Sequence, residues 1–178
     1  PQYDVDVVDA DGNSLPAGEV GEIVIHTDKG APCGLFKEYY SKDEKTFLKY
    51  ATGKKDIIFV IPNIVTSIAD SAFAASKSLT TVIIPDGVTS IADSAFAECI
   101  SLTTVIIPDS VTSIGSYVFF HCIGLVKIEL SKNITTIGVW AFTGDTQLII
   151  YCEAKEKPSG WYTEWNYDGG KVIWGYKK

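Results

Sequence analysis

The stretch that decides the fold runs from Ile61 to Ile83 and reads IPNIVTSIADSAFAASKSLTTVI. It returns as IPDGVTSIADSAFAECISLTTVI from Ile84, as IPDSVTSIGSYVFFHCIGLVKIE from Ile107 and as LSKNITTIGVWAFTGDTQLIIYC from Leu130. The spacing is 23 residues at each step. A fixed period of this length indicates a repeat architecture in which each unit packs against its neighbours.

Apolar columns explain why the unit repeats. They hold side chains that fall at the same place in every copy: Val65, Val88, Val111 and Ile134; Ile68, Ile91, Ile114 and Ile137; Phe73, Phe96, Phe119 and Phe142; Leu79, Leu102, Leu125 and Leu148. One unit cannot bury such a set alone, whereas stacked units superpose the columns into a continuous core.

The run from Leu79 to Ile84, LTTVII, predicts one short strand per unit in a parallel sheet, with Leu79, Val82 and Ile84 inward. Pro85 and Pro108 follow the strands, because proline cannot donate to a ladder. We expect a β-rich α/β fold: a short right-handed solenoid of 23-residue repeats with a parallel sheet and a β-hairpin-like N-terminal segment. Asp70 or Asp93 is expected to cap a single helical turn.

Composition excludes several functions. The net charge is -7 and every one of the 15 cationic side chains is Lys, so the planar Arg fork that reads phosphates and guanine edges is missing. We therefore expect no nucleic-acid partner. No apolar run approaches the ~18 residues of a membrane-spanning helix, and no motif predicts a catalytic, cofactor-binding or metal site.

The repeats resemble the BspA-type leucine-rich repeat. The nine residues Ile107–Gly115, IPDSVTSIG, match its signature closely, and Cys99 and Cys122 occupy its Cys column, which holds Ser76 and Asp145 in the outer units. The resemblance covers about residues 56 to 178. It implies a non-enzymatic scaffold that binds a protein or cell-surface ligand, at the cell surface or outside the cell, with no catalytic residue and no cofactor.

The predicted domains are an N-terminal segment 1–55, four repeats over 56–152 and a C-terminal cap over 153–178. The repeats are 61–83, 84–106, 107–129 and 130–152. Trp161, Trp165 and Trp174 supply the apolar area that covers a last coil. The alternative for these aromatic residues is a sugar-binding platform.

The segment upstream of the array alternates like strands near Val5–Asp9 and Glu22–His26. It resembles a fragment of acyl-CoA synthetases, the adenylate-forming family, through Gly34-Leu35-Phe36, Tyr39-Tyr40 and Glu44-Lys45-Thr46 among other matches. The family's Thr-Gly-Asp is Thr52-Gly53-Lys54 here, so the ribose acceptor is replaced by a cation.

We expect this segment to be non-catalytic and to cap the first repeat. Because Pro1 stands where a natural chain has Met, the alternative function is a truncated or chimeric product that carries an inactive ligase remnant. The ligase resemblance leaves a cytoplasmic location open beside the extracellular one.

The candidate partner site lies on the strands, between the inward residues. The outward positions are Thr81, Thr104, Lys127 and Ile150 in one column, and Ile83, Ile106, Glu129 and Cys152 in the next. The predicted partner-binding residues are Thr81, Ile83, Thr104, Ile106, Lys127 and Glu129. Apolar stripes of this kind mark partner sites, although β-branched residues also favour strands for structural reasons alone.

The cysteines and histidines suggest two further candidate sites, each with a structural alternative. Cys99 and Cys122 share a column, so they fall within disulfide reach or form a ladder of small buried thiols. His121 and Cys122 are adjacent. A metal pair and an ordinary exposed turn are the alternatives there.

Overall fold

The computed structural model describes residues 45–50 and 57–177, and the backbone of two further strands at 5–8 and 22–25. The chain divides into two compact units, Pro1–Glu38 and Tyr39–Lys178. In the first unit, β1 (Val5–Val8) pairs antiparallel with β2 (Glu22–Ile25), which confirms the hairpin-like segment. His26, Cys33 and the Thr52-Gly53-Lys54 motif lie outside the described residues.

The second unit is the predicted parallel-sheet solenoid. Its strands are β3 (Thr46–Phe47), β4 (Ile58–Val60), β5 (Ser67–Ile68), β6 (Thr81–Ile83), β7 (Ser90–Ile91), β8 (Thr104–Ile106), β9 (Ser113–Ile114), β10 (Lys127–Leu130), β11 (Thr136–Ile137), β12 (Ile149–Cys152) and β13 (Lys171–Trp174). Each coil contributes one strand to each of two faces.

The front face carries the LTTVII strands and the rear face the shorter ones. In the front sheet, β4, β6 and β8 pair in parallel, and β10, β12 and β13 form a second parallel group. The rear sheet runs in the order β11-β9-β7-β5-β3. Rear-face threonine hydroxyls donate to the carbonyl one coil back, as Thr112 does to Thr89 at 3.3 Å.

The third side of the coil is built from left-handed turns, and the helical turn expected after Asp70 and Asp93 is absent there. No helix occurs in the parts of the chain that the structure describes. Ser94 has a φ of 56° and its N–H donates to the Ser116 carbonyl of the next coil at 2.8 Å. Asp93 does not cap its own coil, because its Oδ1 accepts from the Ser116 N–H at 2.7 Å. A ladder between coils therefore replaces the bonds of a helix.

Phenylalanine rings stack along the axis of the array. Phe73 and Phe96 lie 4.9 Å apart at 10°, and Phe96 and Phe119 lie 5.4 Å apart at 2°. The stack starts with Phe47, 4.7 Å from Phe73, and each of these rings is almost fully buried. Burial of such a ring contributes about 3 kcal/mol, and aromatic pairing adds ~1 kcal/mol.

The array begins earlier than the repeats in the sequence indicated. Thr46 and Phe47 pair with Ser67 and Ile68 of the first repeat, and Tyr50 donates its N–H to the Ala72 carbonyl at 2.6 Å. The spacing from Phe47 to Ile68 is 21 residues, so the regular period does not reveal this half-coil.

The column that contains Cys99 and Cys122 runs beside the phenylalanine rings. Cys99 and Cys122 are free and fully buried, so they form the ladder of small buried thiols and not the disulfide. Burial raises the pKa of Cys99 to about 11 and raises that of Cys122 further. Each Sγ donates to a backbone carbonyl at 3.0 Å, from Cys99 to Phe73 and from Cys122 to Phe96.

The last coil is covered by the aromatic segment. Trp161 and Trp165 are 3% and 5% exposed, and the Trp161 indole N–H donates to the Ile134 carbonyl at 3.0 Å. β13 extends the front sheet by pairing with β12. Both rings are buried against the array, and the cap over residues 153–178 stays a prediction.

Candidate partner-binding face

Outward side chains of the front sheet form two aligned columns. The register places Ile58, Thr81 and Thr104 side by side, and likewise Val60, Ile83 and Ile106. We call the second column the apolar stripe. Val60 is 58% and Ile106 54% exposed, and Ile83 is half-buried between them. The inward neighbours Leu79, Val82 and Ile84 are buried as predicted.

The front sheet is interrupted beside the stripe. β8 and β10 belong to separate hydrogen-bonded groups, and we call the boundary between them the ladder gap. The same two coils stay joined elsewhere: β7 pairs with β9 in the rear sheet, and Phe96 donates its N–H to the Val118 carbonyl at 2.9 Å on the third side. The two coils therefore separate on the front face alone.

The ladder gap opens into a groove of about 470 Å³. Its outward lining is Thr103, Thr104, Ile106, Val126, Lys127 and Glu129. Val105 at the bottom is 7% exposed, whereas the equivalent Val82 one coil earlier is 0% exposed. The groove therefore reaches down to the core side chains of the interrupted ladder.

A charge pair borders the groove. Lys127 Nζ lies 2.7 Å from Glu129 Oε1 and 5.1 Å from the centre of the Tyr151 ring. The hydrogen bond to Glu129 raises the pKa of Lys127 above its ordinary value. Tyr176 Oη also reaches Glu129 at 3.5 Å. β10, the strand on the far side of the groove from the stripe, thus presents both charges to solvent.

Thr81, Ile83, Thr104, Ile106, Lys127 and Glu129, which the sequence singled out, all lie on the strands of this face. The register aligns Thr81 with Thr104 and Ile83 with Ile106 as predicted, and a role of the six residues in partner binding stays a prediction. The expected outward orientation of Ile150 and Cys152 is wrong, because both are fully buried. Ile128 pairs with Ile150, a spacing of 22 residues instead of 23. Since side chains alternate along a strand, this one-residue slip turns Ile149 and Tyr151 outward instead.

Sequence reasoning also missed exposed apolar residues at the start of the face. Ile57, Ile58 and Val60 precede the first repeat, and each is more than half exposed. Val126, which replaces Thr103 one coil later, is 57% exposed. The sequence does indicate this strand: the run Ile57-Ile58-Phe59-Val60 lies 23 residues before Thr80–Ile83, which contains the strand at the end of the first repeat.

The weaker candidate sites are not assembled. His121 is exposed while the Cys122 thiol is buried in the core, so the two do not converge on a metal. Within residues 45–50 and 57–177 no group of three metal-ligating side chains comes together.

A shallow depression of about 570 Å³ lies away from the front sheet, between Asp93, Ser116 and Tyr162. In the described part of the chain no helix has the length and apolarity to cross a membrane.

Stacked parallel strands of short leucine-rich units define a leucine-rich repeat scaffold. Residues 50–154 match the family described as BspA type leucine rich repeat region, with six copies, and the chain belongs to this family. The predicted resemblance is confirmed.

Solved structures share this fold. A leucine rich cell surface protein from Faecalibacterium prausnitzii is 27% identical, with a TM-score of 0.65 over 78% of this chain and 38% of that protein. A leucine-rich repeat protein from Eubacterium ventriosum is 28% identical, with a TM-score of 0.60 over 64% of this chain and 31% of that protein. The pneumococcal vaccine antigen PcpA, 19% identical with a TM-score of 0.63, covers 76% of this chain and 32% of the antigen, and it shows the fold alone.

Curated relatives match a short segment only. Crotonobetaine/carnitine–CoA ligase of Citrobacter koseri is 51% identical over 45 residues, which is 25% of this chain and 8% of the enzyme. Mouse mitochondrial acyl-coenzyme A synthetase ACSM4 is 36% identical over 61 residues, 32% of this chain and 10% of the enzyme. The chain therefore spans a tenth or less of these ligases.

Proposed function

We propose that the protein is a non-enzymatic binding scaffold whose front face holds a protein partner at the cell surface or outside the cell. The observation that carries the proposal is the apolar stripe beside the ladder gap. The relative from Faecalibacterium prausnitzii is a leucine rich cell surface protein, which supports the location.

The chemistry of the face fits a protein partner. An apolar centre with a polar rim is the ordinary composition of a protein–protein interface. Here the stripe of Val60, Ile83 and Ile106 is bordered by threonines on one side and by Lys127 and Glu129 beyond the gap. The apolar side chains supply buried area, and the charges favour one orientation of the partner.

The ladder gap adds a second mode of contact. Neither strand has a hydrogen-bonded neighbour across it, so the backbone N–H and C=O groups that point into the groove lack their ladder partners. A polypeptide carries the same groups and therefore satisfies them, whereas an apolar small molecule leaves them unpaired. The groove side of the stripe is where we place the centre of the interface.

Selection of displayed peptides on the immobilised protein tests the site. The variants are Ile83→Lys and Ile106→Lys, and the matched control is Ile123→Lys, which makes the same change at a residue 59% exposed on a turn outside the front sheet. We expect clones selected on the wild type to lose binding to Ile106→Lys and to keep it on Ile123→Lys. Equal binding to all variants contradicts the site.

A further inference from the structure

The column of Ser76, Cys99, Cys122 and Asp145 ends in a buried acid. Cys99 donates to the carbonyl 26 residues before it, at Phe73, and Cys122 does the same to Phe96. The same step from Asp145 leads to the Phe119 carbonyl. By extension of the repeat, we expect the carboxyl group of Asp145 at the position where the two preceding coils have a hydrogen-bond donor.

Asp145 has no charge partner. Its side chain is 1% exposed, and neither carboxyl oxygen has a donor within hydrogen-bond distance and angle. Among the residues that the structure describes, no ion pair includes it. Burial raises the pKa of Asp145 to about 8, although the nearby backbone N–H of Cys122 acts in the opposite direction. An ionised carboxylate in such a site is strongly unfavourable.

We infer that the folded protein holds Asp145 as the neutral acid, whose hydroxyl donates to the Phe119 carbonyl, and that release of this proton to solvent loosens the C-terminal end of the solenoid. The proton thus acts as a latch. It supplies the donor that a thiol supplies one and two coils earlier.

The ionisable groups around Asp145 do not replace the proton. In the coil below, burial raises the pKa of the Cys122 thiol, so this group stays neutral. The exposed imidazole of His121 lies against Gly144, on the outside of the same turn. In the following coil, the side chains of Asp168 and Lys171 are exposed to solvent.

Asp145 is placed where its ionisation affects the cap. Its carbonyl accepts the N–H of Leu148 at 3.0 Å, and the Leu148 carbonyl accepts the N–H of Lys171 at 2.9 Å. β12 starts at the next residue and pairs with β13 of the cap. A turn that opens to hydrate a carboxylate therefore disturbs the attachment of the last strand.

The sign of the pH effect follows from proton linkage. An unfolded Asp titrates near pH ~3.9, and the folded Asp145 near pH 8. Below the first value both states are protonated and the stability contribution is complete. Between the two values unfolding releases a proton, so the unfolding equilibrium constant rises about tenfold per pH unit, and above the second value it rises no further.

Urea unfolding at pH 5, 6 and 7, followed by tryptophan fluorescence, tests the latch. All four tryptophans, at 140, 161, 165 and 174, lie at the C-terminal end. We expect the ratio of unfolding constants, wild type to Asp145→Asn, to rise about tenfold per pH unit over this range. Asp145→Cys, which restores the column residue, should behave like Asp145→Asn, and the exposed control Asp86→Asn should keep the wild-type slope.

A slope in Asp145→Asn equal to that of the wild type overturns the inference. A second measurement stands even if neither variant folds. NMR of the wild type labelled with ¹³C at the aspartate carboxyl carbon should show one resonance that is still protonated at pH 6. A spectrum in which every aspartate is ionised at pH 6 overturns the inference as well.

Discussion

The indole of Trp165 stands edge-on to the ring of Phe142, with 5.6 Å between their centres and 87° between their planes. The preceding rings of the stack are nearly parallel, as Phe119 and Phe142 are at 18°. A perpendicular ring covers the exposed face of the last phenylalanine and presents its own edge to further coils. The aromatic column thus ends at Trp165, which is what a capping segment requires.

Replacement of Trp165 by alanine should destabilise the solenoid by about 3–5 kcal/mol, because the change removes a buried aromatic side chain and leaves a cavity over Phe142. Urea unfolding monitored by circular dichroism measures the loss. Tyr162→Ala removes an exposed aromatic side chain from the same segment and is the matched control. Equal stability of the two variants contradicts the capping role.

The one-residue slip between Leu148 and Ile150 has a direct test. Ile150→Lys places a charge in the core and should cost about 3–5 kcal/mol or prevent folding, whereas Ile106→Lys at a 54% exposed site should change stability by less than about 0.5 kcal/mol. Denaturant midpoints of the two variants give the comparison. If Ile150→Lys is as stable as Ile106→Lys, the side chain of Ile150 points outward, as the sequence pattern predicted.

The three buried thiols, Cys99, Cys122 and Cys152, should be chemically inert in the folded state. Burial raises the pKa of Cys152 to about 12 and that of Cys99 to about 11, so the reactive thiolate is scarce at neutral pH. In a Cys33→Ser background, we expect a thiol reagent to modify the native protein slowly and to modify three thiols once denaturant is added. Thr112→Cys adds an exposed thiol as the positive control. Rapid modification of all three native thiols contradicts their burial.

The ligase-like segment is expected to bind neither ATP nor coenzyme A. The acidic residue that follows Thr-Gly in that family is Lys54 here, so a cation stands where the ribose hydroxyls would need an acceptor. Isothermal titration calorimetry with each compound should give no heat beyond dilution. Saturable heat with ATP revives the ligase interpretation, and Lys54→Asp, which restores the family's acidic residue, then tests whether that site is responsible.

The stacked core was predictable from the sequence because a residue at one place in a unit recurs at that place in the next. Val82, Phe96 and Leu102 could be assigned to the core from their columns alone. The outward set at Thr81, Ile83, Thr104 and Ile106 follows from the same period and the alternation of a strand.

What the sequence did not reveal depends on small differences between coils. In the run Leu148-Ile149-Ile150-Tyr151-Cys152 either register places apolar side chains inward, so the pattern does not decide between them. The ladder gap between Thr104 and Lys127 leaves the 23-residue spacing intact and therefore has no signature in the period. Asp93 is a typical helix-capping residue, so the sequence favours a helical turn after it. Its side chain instead accepts the N–H of Ser116 in the next coil.

The most direct test of the account is the affinity of a selected peptide or protein partner for three forms of the chain, measured by biolayer interferometry. The account predicts that Ile106→Lys weakens binding at least tenfold, because a charge enters the groove end of the apolar stripe, and that Ile123→Lys changes it less than twofold. Weakening by Ile123→Lys with no effect of Ile106→Lys places the partner elsewhere and contradicts the proposed face.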